Sequence, residues 1–563
     1  MKKEKGMIKI SLIFLLLVSN IYGADIPNIG DVLKEVTPPK IDRKKNEIPS
    51  ITIENEDQRI FKDGKKILIK GFTIFDAKHM DNEELKKIVK PYENKELSFK
   101  EIQEIVALIT KKYKEEGFLV ARAYLPSQNL KEQNYILKIG VIEGQYDKLK
   151  LNNNSLVKDS IIQENLDYAK KIDEGIISRR SLESVLSVVN NTPGIRILNS
   201  RIEPGELVGT SNIVIDTQAE ERFSGYVVFD NYGSIYTGKN RLMFGANINS
   251  PFNIGDKISI AGLSSKDKGL LNGSLSYAFP LYKNGLRAEI SYSKTTYELG
   301  DLYEDLDAVG ESESLSAIIT YPLIASNSDT LNSYFKTSYN KMTDEIQSTF
   351  SNIEKSSLTA TFGLDYSNKM LLFEKYTSFE LDTFFTIGNL KFENAQEKLN
   401  DEMGANTNRK FTKINIELQQ NTLLTDKLNW KNKISFQHAF GNKNLDGSED
   451  LSIGGVNGVK LYPSGEESAE NGYVFNSELI YSLPSFRNIN SSVGIFYDLA
   501  RVYMSRDITN EENRTFQDAG FSYSLNYDKF FINSYLAYRV GSTDIESEKD
   551  RDSKFMVQIG FVF

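Results

Sequence analysis

The sequence predicts two successive α+β units followed by an all-β, sixteen-stranded antiparallel barrel of the membrane-spanning kind. Three observations carry this expectation. Helical periodicity is confined to the chain before residue 219, where it occurs in two rounds. From there to the C-terminus apolar and polar residues alternate in run after run, as in strands with lipid on one face and a polar interior on the other. The chain also opens like an exported protein, with Lys2, Lys3 and Lys5, the apolar "MIKISLIFLLLVS" and small residues in "NIYGA".

Residues 1–24 therefore read as a cleavable signal. Residues 25–50 read as a linker: "IGDVLKEV" has one or two helical turns, but the prolines and charges after it are too polar to build a core. The first α+β unit is placed at 51–145. "KKILIKGFTIF" is a strand by its β-branched content, "NEELKKIVKPY" and "SFKEIQEIVALITKKYKEEG" are helices, and "FLVARAYLP" and "NYILKIGVIEG" are strands. The second helix carries its own start signal, Ser98 with Glu101 three residues on, ahead of Ile102, Ile105, Val106 and Ile109 on one face. The second unit, 146–218, repeats the β-α-α-β-β order, with Leu182, Val185, Leu186 and Val189 in phase on its second helix.

Residues 219–563 form the barrel. Sixteen runs begin near 221, 239, 257, 270, 285, 311, 330, 356, 372, 409, 428, 473, 490, 514, 529 and 553. Tight and long connections alternate between them, and one long connection spans about 441–472. The last run places Phe555, Val557, Ile559, Phe561 and Phe563 on one side and ends the chain on an aromatic residue, which reads as an assembly signal. Tyr (29) and Phe (32) are abundant, as aromatic girdles require.

Other functions find little support. Basic (68) and acidic (77) side chains are mixed and the net charge is −9, which argues against nucleic acid as a partner. Cysteine is absent, so no disulfide framework stabilises the exported chain. "GSIYTGKN" (233–240) comes within one residue of a phosphate-binding loop, but Asn240 replaces the magnesium-binding hydroxyl. Alternating strands flank it on both sides, so no helix N-terminus is available for phosphate. His79 and His438 are the two histidines and lie in different domains, and G-x-S-x-G does not occur. The chain therefore reads as a non-enzyme that needs no metal or cofactor.

"YKEEGFLVARAYLPSQNL" (113–130) carries Tyr113, Gly117, Phe118, Ala123, Leu125, Pro126 and Gln128 in an order that resembles the first POTRA domain of the two-partner secretion transporters, the TpsB family. "NNTPGIRILNSRIEPGELVG" resembles that family's second POTRA through Asn191, Pro193, Gly194, Pro204 and Gly205, and "DNYGSIYTGKNRL" and "SPFNIGD" resemble its first barrel hairpins. The resemblance implies two periplasmic POTRA domains ahead of a sixteen-stranded outer-membrane barrel. It also implies that a loop folds back into the barrel and pairs with a strand. Here that loop offers Val459, Lys460, Leu461 and Tyr462 where the family has Val-Arg-Gly-Tyr, and the strand offers Phe496, Asp498 and Ala500 for Phe-x-Asp-x-Gly. Lysine for arginine turns a two-pronged contact into a point charge, so the expected Lys460–Asp498 lock is looser.

The implied function is a pore that secretes an unfolded exported partner, large and of the adhesin or haemolysin type with a β-helical fold, without nucleotide hydrolysis. Outer-membrane lipids, the barrel assembly machinery and periplasmic chaperones are the other implied partners. A barrel-assembly insertase and a passive porin are the alternatives.

Overall fold

The computed structural model describes residues 26–36, 39, 49–53, 64–266, 269–506 and 513–563. The expected signal, 1–24, lies outside them.

The first unit is built on helix α2 (Asn82–Val89), helix α3 (Phe99–Glu115) and two small sheets. Sequence and structure agree closely on α3: Ser98 Oγ accepts from Glu101 N, Glu101 Oε2 accepts from Ser98 N, and Ile102, Ile105, Val106, Ile109 and Tyr113 are buried. The strand expected over "KKILIKGFTIF" is two. β2 (Ile67–Ile69) pairs with the unforeseen β4 (Lys95–Leu97), while β3 (Gly71–Phe75) joins β6 (Ile136–Ile142), which also pairs with β5 (Arg122–Tyr124). Lys70 divides them because its N–H bonds the Tyr135 carbonyl.

The second unit contains β7 (Gln145–Asn152), helices α4 (Asp159–Tyr168) and α5 (Arg179–Asn190), β8 (Ile195–Pro204) and β9 (Thr210–Ala219). Leu182, Val185, Leu186 and Val189 of α5 are buried against Ile195, Ile197, Ile213 and Ile215 of the sheet. Its strand order is β1-β8-β9-β7, and β1 (Ile51–Ile53) corrects the sequence reading. Counted above with the first unit, β1 pairs in parallel with β8 of the second, Ile51 opposite Ser200 and Ile53 opposite Ile202. Three residues carry no pattern that selects a partner, and Ile51 finds its apolar surroundings in the second core.

The remaining chain closes into a sixteen-stranded antiparallel barrel. Its first half is β10 (Phe223–Asp230), β11 (Arg241–Asn249), β12 (Lys257–Ser265), β13 (Leu270–Pro280), β14 (Arg287–Glu298), β15 (Ala308–Ala325), β16 (Asp329–Ile346) and β17 (Ser351–Leu372). β18 (Lys375–Phe392), β19 (Lys410–Thr425) and β20 (Leu428–Ala439) lead to a long connection containing the short pair β21 (Leu451–Ser452) and β22 (Ser468–Ala469). β23 (Asn471–Ser482), β24 (Ile489–Tyr503), β25 (Thr515–Tyr527), β26 (Phe530–Arg539) and β27 (Ser553–Val562) complete the ring.

β17 begins at Ser351, five residues before the run seen in sequence, because "SNIEK" is polar on both faces and lies beyond the apolar band. Within that band Leu358 and Phe362 point outward while Ser357 and Thr359 are buried inward. The seam is the pairing of Tyr226–Asp230 with Gln558–Val562, and Phe563 extends it by exchanging two backbone hydrogen bonds with Gly225. "GSIYTGKN" is the turn between β10 and β11, not a nucleotide loop.

The segment 25–50 is more than a linker. Helix α1 (Ile29–Glu35) stands inside the barrel, with Ile29 and Val32 fully buried among Tyr236, Met243, Leu270, Tyr297 and Met342. Seven residues are too few to hold a helix in water. The barrel wall supplies the packing that the segment's own sequence lacks.

Candidate functional site

The barrel interior holds two obstructions, α1 and the connection 440–470, and both are fixed by charge. Asn28 and Asp31 form a capping box at the start of α1. The Ile29 N–H, left without an intrahelical acceptor, donates to Asp344 Oδ1 on β16 at 2.7 Å, so a wall carboxylate sits at the positive end of the helix. Asp344 in turn faces Lys355 Nζ (3.9 Å), which binds Asp446 of the long connection at 2.8 Å. At the other end Glu35 accepts from Thr237 Oγ1 (2.8 Å) and Ser234 N (3.3 Å). Arg241, held by both oxygens of Asp230, donates to the Glu35 carbonyl at 2.7 Å. This gives the "GSIYTGKNR" turn its role: it grips the C-terminal end of α1.

The long connection enters the lumen through its glycine-rich stretch. Val459, Leu461 and Tyr462 are fully buried and Lys460 nearly so. Lys460 Nζ donates to Asp498 Oδ2 at 2.7 Å and lies 4.4 Å from the Phe496 ring centroid and 5.4 Å from that of Tyr535. Asn476 Nδ2 donates to the other Asp498 oxygen and to the Gly458 carbonyl. The motif residues Val459, Lys460, Tyr462, Phe496 and Asp498 therefore meet.

Three further contacts had no counterpart in the sequence reading. Asp518, opposite Asp498 on the adjacent strand, accepts from Leu461 N at 2.6 Å. Tyr462 OH donates to the Thr543 carbonyl and its ring meets Phe516 edge-on, centroids 4.9 Å apart. Glu466 accepts from Arg514 Nη2, Glu546 N, Ser547 N and Ser547 Oγ, tying the loop tip to the connection between β26 and β27. Strand parity could have shown that Asp518 faces inward, but not what it meets.

What stays open is small inside and wider at the rim facing the α+β units. A cavity of about 330 Å³ remains between helix and loop, beside Glu35, Tyr232 and Arg241. The mouth holds about 840 Å³, lined by Ser224, Asn249, Asn429, Ser492, Ser524 and Asn526. These side chains can hydrogen-bond an extended backbone in any register without favouring one sequence.

Comparison with known proteins agrees with this architecture. The family described as "Haemolysin secretion/activation protein ShlB/FhaC/HecB" matches residues 209–527, and "POTRA domain, ShlB-type" matches 67–144. The chain belongs to this family, the two-partner secretion transporters. It is 26% identical over 494 residues to the heme/hemopexin transporter protein HuxB of Haemophilus influenzae, covering 87% of this chain and 86% of the relative. It is 24% identical over 419 residues to the outer membrane transporter CdiB of Dickeya dadantii, covering 71% and 70%. The solved CdiB from Escherichia coli shares the fold with a TM-score of 0.73 at 17% identity, covering 91% of this chain and 93% of that one. CdiB from Acinetobacter baumannii gives 0.65 at 15% identity, covering 99% and 97%. The protein is thus an outer-membrane transporter whose POTRA domains lie in the periplasm.

In this transporter the POTRA motif residues form joints. Glu143 accepts from Lys78 N, His79 N and His79 Nδ1, and Tyr113 OH donates to it at 3.2 Å. Burial alone would raise the Glu143 carboxyl, but the His79 and Tyr113 contacts outweigh it and hold it below the usual range. Burial and that carboxylate push the Tyr113 hydroxyl well above its ordinary value. Phe118 packs 5.5 Å from Tyr113, and the Gly117 carbonyl accepts from Arg179 N at 2.7 Å, joining the first POTRA to α5 of the second. Leu125 packs on the first core, and Pro126 starts the turn that presents Gln128. Gln128 pairs with β6 like a strand residue, bonding both Lys138 N and Lys138 O.

In the second POTRA, Asn191 closes α5 with a side-chain bond to Ser187 Oγ, and Pro193 leads into Gly194. Gly194 has φ 91° and lies against Ser250, where an added Cβ would come 2.9 Å from the Ser250 Cβ. That approach and the Lys158 N–H to Asn253 bond seat the domain on the "SPFNIGD" turn of the barrel.

Proposed function

We propose that this transporter is the pore of a two-partner secretion pair, taking an unfolded exported protein from the periplasm through its POTRA domains to the cell surface. The observation that carries the reading is the doubly obstructed lumen. A passive channel has no use for a helix and a loop each clasped by buried ion pairs, whereas a protein-sized pore needs a seal until its client arrives. Sixteen strands enclose enough room for an extended chain once both obstructions move aside.

The client enters as a strand. An open POTRA sheet edge adds an extended segment through main-chain hydrogen bonds, which tolerates varied sequence and rejects folded protein. Export then proceeds without nucleotide, because segments that bury apolar surface outside cannot slide back without losing that stabilisation.

The test is secretion of a large exported candidate partner co-expressed with this chain. Deleting residues 64–145 should abolish secretion while the barrel remains inserted and heat-modifiable. Undiminished secretion from that deletion would rule out recruitment through the first POTRA domain.

A further inference from the structure

The second POTRA sheet is already augmented by the chain itself. β1 lies along β8 in a parallel ladder of three residues, Ile51, Thr52 and Ile53 opposite Ser200, Arg201 and Ile202. β8 is ten residues long, so the ladder covers only part of it. β1 is also shallow: Thr52 and Ile53 are exposed, and Ile51 alone packs on the core.

The position of this edge matters as much as its occupant. β8 starts at the pore, because Gly194 touches the barrel turn at Ser250 and Arg196 lines the periplasmic mouth. A strand laid along β8 is thereby led to the lumen. The resident strand is continuous with the helix in that lumen: fourteen positions separate Val36, just after α1, from Ile51.

We propose that the β8 edge of the second POTRA domain is a docking site for an extended segment of the exported partner, and that β1 holds it in the resting state as an internal stand-in. This rests on the secretion reading and names where its client binds. A client segment that pairs with more of β8 than three residues makes more main-chain hydrogen bonds than β1 and displaces it. The chemistry fits an unfolded chain with alternating side chains, one face apolar and turned to the core side as Ile51 is, the other meeting exposed Leu198 and water.

The chain has no cysteine, so an engineered pair is unambiguous. Thr52→Cys with Arg201→Cys places thiols on directly opposed residues, within disulfide reach for neighbouring strands. In the full-length transporter, oxidation of this pair should lower secretion of the co-expressed partner at least tenfold. Reductant should restore it, and each single variant should behave as wild type. A photoreactive residue in place of Leu198 should capture the partner during export, weakly when the pair is oxidised. With Thr52→Pro, which weakens the resident strand, capture should rise several-fold. Equal secretion from the oxidised and reduced forms, or capture at Leu198 that ignores both the disulfide and the proline, overturns the proposal. Loss of secretion in the reduced or single variants with normal barrel insertion also overturns it, whereas no export from wild type counts against the secretion reading.

Discussion

The contact between Lys460 and Asp498 predicts an asymmetric mutant series. Lys460 Nζ is buried, 2.7 Å from Asp498 Oδ2, and a second carboxylate, Asp518, stands directly opposite Asp498 on the next strand. Lys460→Ala removes the only cation bonded there and leaves two inward carboxylates facing each other across a strand pair, an arrangement that is unfavourable in its own right. Asp498→Ala leaves Lys460 with Asp518 still beside it. Breaking a buried pair costs about 3–5 kcal/mol, which is roughly 10²- to 10³-fold in the balance between seated and released loop. Lys460→Ala should lie at the upper end and Asp498→Ala at or below the lower. The double variant keeps Asp518 bonded to Leu461 N and removes the repulsion, so it should be no worse than Lys460→Ala. Lys460→Arg should be tolerated, since a guanidinium can serve Asp498 and also lie over Phe496 and Tyr535.

The assay is the rate of protease cleavage within 441–472 on intact cells, read beside secretion and with barrel insertion checked separately. Because Glu466 still anchors the loop tip through four donors, new cleavage should appear around 456–462 first. Additive effects of the two alanine variants, or a Lys460→Ala loop as protected as wild type, would show that this pair does not hold the loop.

Two further outcomes are expected. Gly30→Leu should unseat α1, because even a Cβ there would sit 2.5 Å from the Ser448 backbone nitrogen; planar-bilayer recordings should show larger or more frequent openings than wild type. Glu143→Ala should destabilise the first POTRA by about 1–3 kcal/mol by leaving buried donors unpaired, measured by thermal melting of the full-length protein. Since the folded carboxyl sits below the usual carboxylate range, the wild-type contribution is present above that range and is lost as pH falls through the lower folded value. The gap between wild type and variant should therefore narrow on acidification.

How much of this was legible depended on range. Elements whose pattern lies within one segment were readable, as in the capping box of α3 and the alternation of β27, because local periodicity and a burial face are the same information. The barrel count followed from repeating that reading sixteen times. α1 had its signal too, Asn28 and Asp31 ahead of apolar Ile29, Val32 and Leu33, but a seven-residue helix needs a wall, and the wall lies two hundred residues or more downstream. β1 failed for the same reason: "ITI" fits any sheet edge. In the site, family spacing brought Lys460 and Asp498 together across the fold. Asp344, Lys355, Asp446, Glu466 and Asp518 are lone charges in the sequence, indistinguishable from solvated ones until the lumen puts partners beside them.

Those charges also link the two obstructions at rest. Lys355 lies between Asp344, which caps α1, and Asp446, which begins the inserted loop. Gly30 of α1 packs directly on Gly447 and Ser448 of the same loop. Removal of either plug therefore uncovers a surface on which the other is packed. An apolar seal of equal area would release its surface into an aqueous channel at a cost that grows with every group exposed. Ion pairs exchange their partners for water instead, and the water is already at the periplasmic mouth. The lumen here combines both: Ile29, Val32, Val459, Leu461 and Tyr462 supply the buried apolar contact, and the ion pairs fix where those side chains sit.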